Sequence, residues 1–481
     1  TVTANTPPSV TYAAASVNAG GATSNSPTAA TDNGSITGYA VQSAGTYTGT
    51  ISVNPTTGVV SISAAAPVGT HTITIRATDN CGSTTDATFT LTVGCVTSLT
   101  VNNTGDGADA TPGNGVCATA GGVCTLRAAI EEANALTACS PFTITITATG
   151  TITLGSDLPA LNHPNLTLTG PGASSLTVSG ANLYSPFTVN VGKTVAMSGL
   201  TVANGRSSAA GGGISNGGTL TLTGCVVTGC ASVNEGGGIA NGANASLTVI
   251  DSTISNNSVS TLHGGGIGSY GAVTISGSTF VGNSTNGGSG GGIAILNGGG
   301  LNGSLTVTNS TFSGNSAAVG GGGLSFDTTL SNTITNCTIT LNQQINGGSN
   351  GGGINVFAGN VTLKNTIIIN NIGNVATGGI PSDIIGTVRT QSSFNLIGTG
   401  GSGGLTNGVN GNQVGVLVAN ALLGTLGNYG GATNTIPLLP GSPAINTGTA
   451  TSAPTADQRG IARVGATDKI GRASCRERVS S

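Results

Sequence analysis

Charge is the first thing this chain lacks. Charged residues are 6% of its 481, against a usual ~25%, and the formal net charge is −3. Lys and Arg stand singly, so no basic stripe exists to neutralise a phosphate backbone, and nucleic acid is excluded as a partner class. Long apolar runs are missing as well. The richest, Val414 to Leu423, is short and carries a Gly and an Asn, whereas a membrane-spanning helix needs about 18 nearly unbroken apolar residues. The nine Cys include no C-x-x-C pair, which argues against zinc or thioredoxin chemistry and is compatible with an oxidising compartment. No charged-then-apolar leader precedes the Thr/Ala/Ser-rich opening, so the N-terminus reads as truncated.

Glycine is what the chain has in excess, 83 of 481 residues against a usual ~7%. Collagen would need Gly at about every third position, and a disordered chain would need high charge and low hydropathy. Mean hydropathy here is +0.23, and both classes are excluded.

Residues 1–95 show short runs of period-two alternation, such as Ile73 and Ile75, then Phe89, Leu91 and Val93, separated by turn signals such as Asn54-Pro55-Thr56-Thr57-Gly58. They predict a small antiparallel β-sandwich. From about 190 to 380 the chain repeats. The apolar residue closing each Gly-rich turn falls at Ile214, Ile239, Ile267, Ile293, Leu324, Ile354 and Ile380, at gaps of 25 to 31 residues. A β-branched strand follows each turn in constant register, and no stretch inside the repeats has a helical apolar period. The prediction is an all-β chain whose main body is a right-handed parallel β-helix of roughly ten coils, about 45–50 Å long at strand spacing.

One column, Val202, Val227, Ile254, Phe280, Phe312, Ile339 and Ile368, is wholly apolar and is expected to be core. Three positions on, Asn257, Asn283, Asn315, Asn342 and Asn371 share a column, which predicts a structural amide ladder between coils. Cys225 and Cys337 share another column four coils apart, too far to bridge, and are expected as buried thiols. Ahead of the repeats, Thr125 is a fair N-cap for a three-turn helix with Leu126, Ile130, Ala133 and Leu136 on its apolar face. This helix is expected to cap the open end of the β-helix. Arg127, Glu131 and Glu132 are expected on its solvent face, and Cys117 and Cys124, bracketing a six-residue loop, are a candidate disulfide.

Several strings resemble known families. TGTISVNPTTGVVSI with the strands after it resembles Ig-like and cadherin-like modules of bacterial surface proteins, although Asp79 and Asp86 alone are too few for a cadherin-type calcium site. The GGGI turns with FVGN (Phe280 to Asn283) and FSGN (Phe312 to Asn315) are similar to the repeats of polymorphic outer-membrane proteins, with Gly in place of Ala. CTLRAAIEEAN resembles the CSLREA-type motif at the start of β-helical surface proteins. Asp457-Gln458-Arg459-Gly460 resembles the closing box of choice-of-anchor proteins, whose second motif here stops after Asp468. The run from Lys469 to Val479 back-translates to a string resembling a short-read sequencing adapter, so 469–481 read as a non-native tail. Without that tail the balance is eight bases against fourteen acids, and eight Cys remain. The expected organisation is an Ig-like sandwich at 1–95, capping helix and parallel β-helix at 96–404, a choice-of-anchor-like region at 405–468, then the tail.

The resemblances imply a secreted or cell-surface protein, structural or adhesive, binding glycans or surface partners and attached to a membrane only through a missing C-terminal anchor. The alternative is a polysaccharide lyase or glycoside hydrolase of the β-helix type, which needs paired carboxylates or a base with cation-holding acids. Between 190 and 400 the acids are Glu235, Asp251, Asp327 and Asp383, and the bases Lys193, Arg206, Lys364 and Arg389. No two acids fall on adjacent coils in one column, so the reading is non-catalytic, with no cofactor. Asp251, Asp327 and Arg206 are the residues to examine should cleavage be found. His71, His163 and His263 are widely spaced and lack a metal-ligand partner. Gly287-Gly288-Ser289-Gly290-Gly291 matches G-x-S-x-G only by glycine abundance, since no strand-to-helix elbow follows.

Overall fold

The computed structural model describes residues 4–298, 301–346, 351–451 and 453–463. The expected tail at 469–481, with Cys475 and the stop after Asp468, lies outside the described residues. Two compact units are present, one of the described residues up to Ile146 with His163–Leu166, the other of Thr147–Asn162 and the described residues from Thr167 on.

In the first unit, Ala15–Asn18, Thr84–Gly94, Gly69–Asp79 and Ile36–Ser43 form a four-stranded sheet, beside a three-stranded sheet and a two-stranded ladder. The alternation turns Ile73, Ile75, Phe89, Leu91 and Val93 inward, where all are buried, and Tyr12 meets Phe89 at a ring separation of 5.5 Å. The same unit holds helix α1, Leu126–Ala135, whose N-cap Thr125 accepts the Ala128 amide. Its apolar side packs on the parallel strands Ser98–Val101 and Phe142–Ile146.

Arg127 and Glu132 of α1 are buried, which corrects the expectation for them, while Glu131 is half-buried. Arg127 pairs with Asp106 at 2.8 Å, with side chains only 10% and 12% exposed. Glu132 is fully buried and accepts the amides of Gly113 and Gly115, while Glu131 accepts the Asp109 amide at 2.7 Å. A helix lying under a folded loop has no free polar face, so these acids serve as acceptors for loop amides that would otherwise be buried unpaired. Disulfides join Cys117 to Cys124 and Cys95 to Cys139.

The second unit is a parallel β-solenoid of about nine turns. Each regular coil contributes four short strands, as in Ile239–Asn241, Ser246–Ile250, Thr253–Ser255 and Ser258–Val259, and each strand pairs in parallel with its equivalent on the next coil. The third strand carries the apolar column from Val202 to Ile368, in the order the register requires, with Phe280 stacked on Phe312 at 4.8 Å. Gly-rich turns fold over the first strand so closely that a Cβ at Gly236 would collide with the Ile239 carbonyl, and Gly236 itself has φ +64°. Ile380 is a correction to the closing series. The last coil returns antiparallel there, Ile380 is 58% exposed, and Ile384 takes the place beside Ile354.

Three of the bends carry rows of polar groups. At the bend after the third strand, each Asn donates both its amide N–H and its Nδ2 to the Oδ1 of the next: Asn257 to Asn283, Asn283 to Asn315, Asn315 to Asn342 and Asn342 to Asn371, at 2.8 to 3.1 Å. The row opens on the Cys230 amide and closes on Asp383, whose Oδ1 accepts both Asn371 donors while Oδ2 accepts the Gly400 amide. Cys225, Ser252, Ser278, Ser310, Cys337 and Thr366 occupy the preceding bend, where hydroxyl and thiol groups return to the carbonyl two residues back. A short row, Asn216 to Asn241 to Ser269, occupies the bend after the first strand. Burial raises the Cys230 and Cys337 thiols to about 11 and about 12, which keeps them protonated.

Beyond the coils, 405–463 runs back over the outer face of the third strands. Ala421, Leu438 and Ala444 cover Ile367 and Ile369, explaining three apolar residues in succession where other coils alternate. Gln458 is the clasp. Its Oε1 accepts the hydroxyls of Thr311 (2.7 Å) and Thr435 (3.0 Å), and its Nε2 donates to Thr279 and Thr433. Asp457 and Arg459 pair at 2.8 Å beside it, almost fully buried, and Arg463 donates to Asn309.

Candidate functional site

The bend after the first strand is where the coil pattern fails. Three coils turn there tightly, at Asn216, Asn241 and Ser269. The next inserts a hairpin, with Asn297–Gly298 against Leu301–Asn302, and the following two run straight through as the long strands Leu324–Thr335 and Ile354–Lys364. The polar row stops accordingly, since the positions after Ser269 are Ile295, Phe326 and Val356. The long strands pair with a shift between Phe326/Asp327, so Phe357 is the extra residue of a bulge and is turned out, 51% exposed. Bulges re-aim side chains in this way.

Five side chains line this edge, some from the bend and some from the Gly-rich turns before the first strand. Tyr270 follows Ile267–Ser269, is half-buried, and donates its hydroxyl to Glu235 Oε1 at 3.2 Å; Glu235 comes from the Gly-rich turn one coil earlier. His263, on the turn of the Tyr270 coil, accepts the Ser289 amide at Nδ1 (3.0 Å). Asp327, exposed, stands two coils further on, and Phe357 one coil beyond it. Burial pushes the His263 imidazole below its ordinary value, opposed by the carboxylates of Glu235 and then Asp327. The Tyr270 phenol is raised by burial first, then by the charge and hydrogen bond of Glu235. At neutral pH the edge therefore presents a protonated phenol and a neutral imidazole beside the acids Glu235 and Asp327, a set suited to hydrogen bonding hydroxyl groups.

The residues singled out for possible cleavage do not converge. Asp251 lies on the turn between Ser246–Ile250 and Thr253–Ser255, beside Gly277, with its carboxyl raised by burial. Arg206 lies in a groove of about 170 Å³ with Ser232, Ser258 and Asn286, without an acid in the lining. Asp327 belongs to the edge. Asp383 is buried at the end of the Asn row; burial raises its carboxyl, and the hydrogen bonds from Asn371 and Gly400 oppose this. His71 is held by Thr46 and the Pro67 carbonyl, and His163 by the Asn165 backbone. Asp86 is bound by Arg76 in two hydrogen bonds, and Asp79 accepts the Cys81 and Ser83 amides. No group of three or more potential metal ligands occurs among the described residues. A hollow of about 420 Å³ in the first unit, lined by Ala64–Val68 and Ala135–Cys139 among others, contains no ionisable side chain.

Sequence reasoning missed this edge. His263 has no spaced His partner, and Tyr270 and Phe357 belong to no repeating column. The available signal was the loss of the repeat itself, in the lengthened gaps of 31 and 30 residues between Ile293, Leu324 and Ile354.

No family model and no curated protein matches the chain. Among solved structures it is similar to one described as the crystal structure of pectate lyase Pel9A, at 13% identity over 78% of this chain and 97% of that one, with a TM-score of 0.43.

Proposed function

We propose that the chain is a secreted or cell-surface β-helix protein of the CSLREA-motif, choice-of-anchor kind that binds glycans without cleaving them. The observation that carries this is the placing of Tyr270, Asp327 and Phe357 along the bend after the first strand, with Glu235 and His263 on the Gly-rich turns beside it. An outward aromatic flanked by hydrogen-bonding groups is the arrangement that holds a sugar ring, apolar face on the ring and hydroxyls on the acids. Hydrolysis is a poor fit to the same edge. Glu235 and Asp327 are three coils apart along the stack, about 14 Å at strand spacing, whereas paired catalytic carboxyls stand about 5–9.5 Å apart.

The test is incubation of the purified chain with neutral, amino and acidic polysaccharides, with and without calcium, following polymer retention alongside new reducing or unsaturated ends. Retention without new ends is the expected result. New ends from any polymer would replace binding with catalysis.

A further inference from the structure

From Ser207 to Leu363 the sequence contains no Lys or Arg, while Glu235, Asp251 and Asp327 all fall in that interval. Those residues build the coils that carry the edge. Before Tyr270 the nearest base along this bend is Lys193, three coils away, while beyond Asp327 the strand that carries Phe357 ends on Lys364 and Arg389 of the next coil stacks on it, its amide donating to the Val361 carbonyl. Arg206 lies in its own groove on the fourth strands, lined by residues of other bends. An anionic polymer laid along the edge would therefore meet Glu235 and Asp327 before it reached a base, at a site where the partly buried surroundings of Tyr270 and His263 strengthen electrostatic effects.

Resting on the glycan-binding reading above, we infer that the edge takes a glycan with no negative charge, a neutral or amino-sugar polymer, and rejects polyuronates. Tyr270, half-buried with Gly298 of the hairpin beside its ring, stands at one end and the exposed Phe357 at the other, three coils along, about 14 Å at strand spacing. Glu235 and Asp327 accept hydroxyl or ammonium protons beside them. The ligand lies along the stack of coils, touching successive copies of the same bend, because the protruding groups are spaced in that direction.

Binding of the full chain to three polymers tests this: a soluble β-glucan, chitosan and polygalacturonate, with variants Tyr270→Ala, Phe357→Ser and Asp327→Lys verified by circular dichroism. The expected result is binding to the glucan or to chitosan, weakened at least tenfold by Tyr270→Ala and by Phe357→Ser, with polygalacturonate unbound. Salt separates the two sources, weakening chitosan binding and leaving glucan binding unchanged. Should Tyr270→Ala fail to fold, exposed Phe357→Ser alone decides the aromatic contribution. Asp327→Lys is expected to lower chitosan binding without affecting the fold. Binding to polygalacturonate by the unaltered chain overturns the inference and leaves glycan binding standing, as does binding of either other polymer that survives both aromatic changes. Binding to none of the three overturns the glycan-binding reading and the inference with it.

Discussion

The Asn row inside the solenoid and the edge outside it are built on different bends of the same coils, yet they follow opposite rules. In the row, five consecutive coils place the same side chain at the same point, each paired with the next and fully buried. Along the edge no residue type repeats: Glu235 and Tyr270 come from coils that still turn tightly, Asp327 and Phe357 from coils whose bend is abolished, and each occurs once. In a solenoid, repetition solves a packing problem that every coil shares, while departure from repetition is where a single coil has something else to do.

The sharpest way to break this contrast is Asn315→Leu. It leaves the Asn283 donors, the Asn342 Oδ1 and the Phe280 carbonyl short of partners, and each buried group so orphaned costs about 1–3 kcal/mol. A loss of at least about 3 kcal/mol in denaturant unfolding is expected; a loss no larger than that of an edge substitution would remove the distinction.

Asp383→Asn is a smaller change at the end of the same row. It retains an acceptor for Asn371 but faces the Gly400 amide with a donor, a cost of about 1–3 kcal/mol that removal of a buried charge partly offsets. It also carries a pH signature. Burial raises the Asp383 carboxyl above its unfolded value of about 3.9, so its contribution to stability is fully present below that value and is lost as pH rises through the raised one. The variant should lack this fall, so the stability of the parent chain relative to the variant should decline from pH about 4 upward. A difference that is flat with pH would show that the row ends on a proton-insensitive contact.

Least costly of all is Phe357→Ser. An exposed bulge residue should change the unfolding free energy by no more than about 0.5 kcal/mol while weakening glycan retention. Equal damage to stability and retention would make the edge part of the scaffold.

The same contrast governs what could be read without coordinates. The coil period, the apolar column and the Asn row all rest on recurrence at a fixed interval, so one chain displays each of them several times over. Gln458 reaches Thr279 across 179 residues and Cys95 meets Cys139 across 44, with no recurrence to mark either pairing. Glu132 was misplaced for another reason. A helical apolar stripe shows which face meets the core, and nothing in it tells whether a loop covers the opposite face. Ile380 was misplaced because Gly378-Gly379 imitates the closing turn of a coil whose true successor is Ile384.

Every Asn in the buried row points its Nδ2 toward the following coil and its Oδ1 toward the preceding one. The side-chain dipoles therefore add head to tail, with the positive end at Asn371, where the Asp383 carboxylate receives it as an acid receives a helix N-terminus. A row with one sense of direction can be lengthened anywhere in its middle, since an inserted coil bearing Asn accepts from one neighbour and donates to the other. Only the two ends are chemically particular, the Cys230 amide that begins the row and the carboxylate that closes it. Evolution of such a chain can add or remove coils between those two residues without rewriting either terminus.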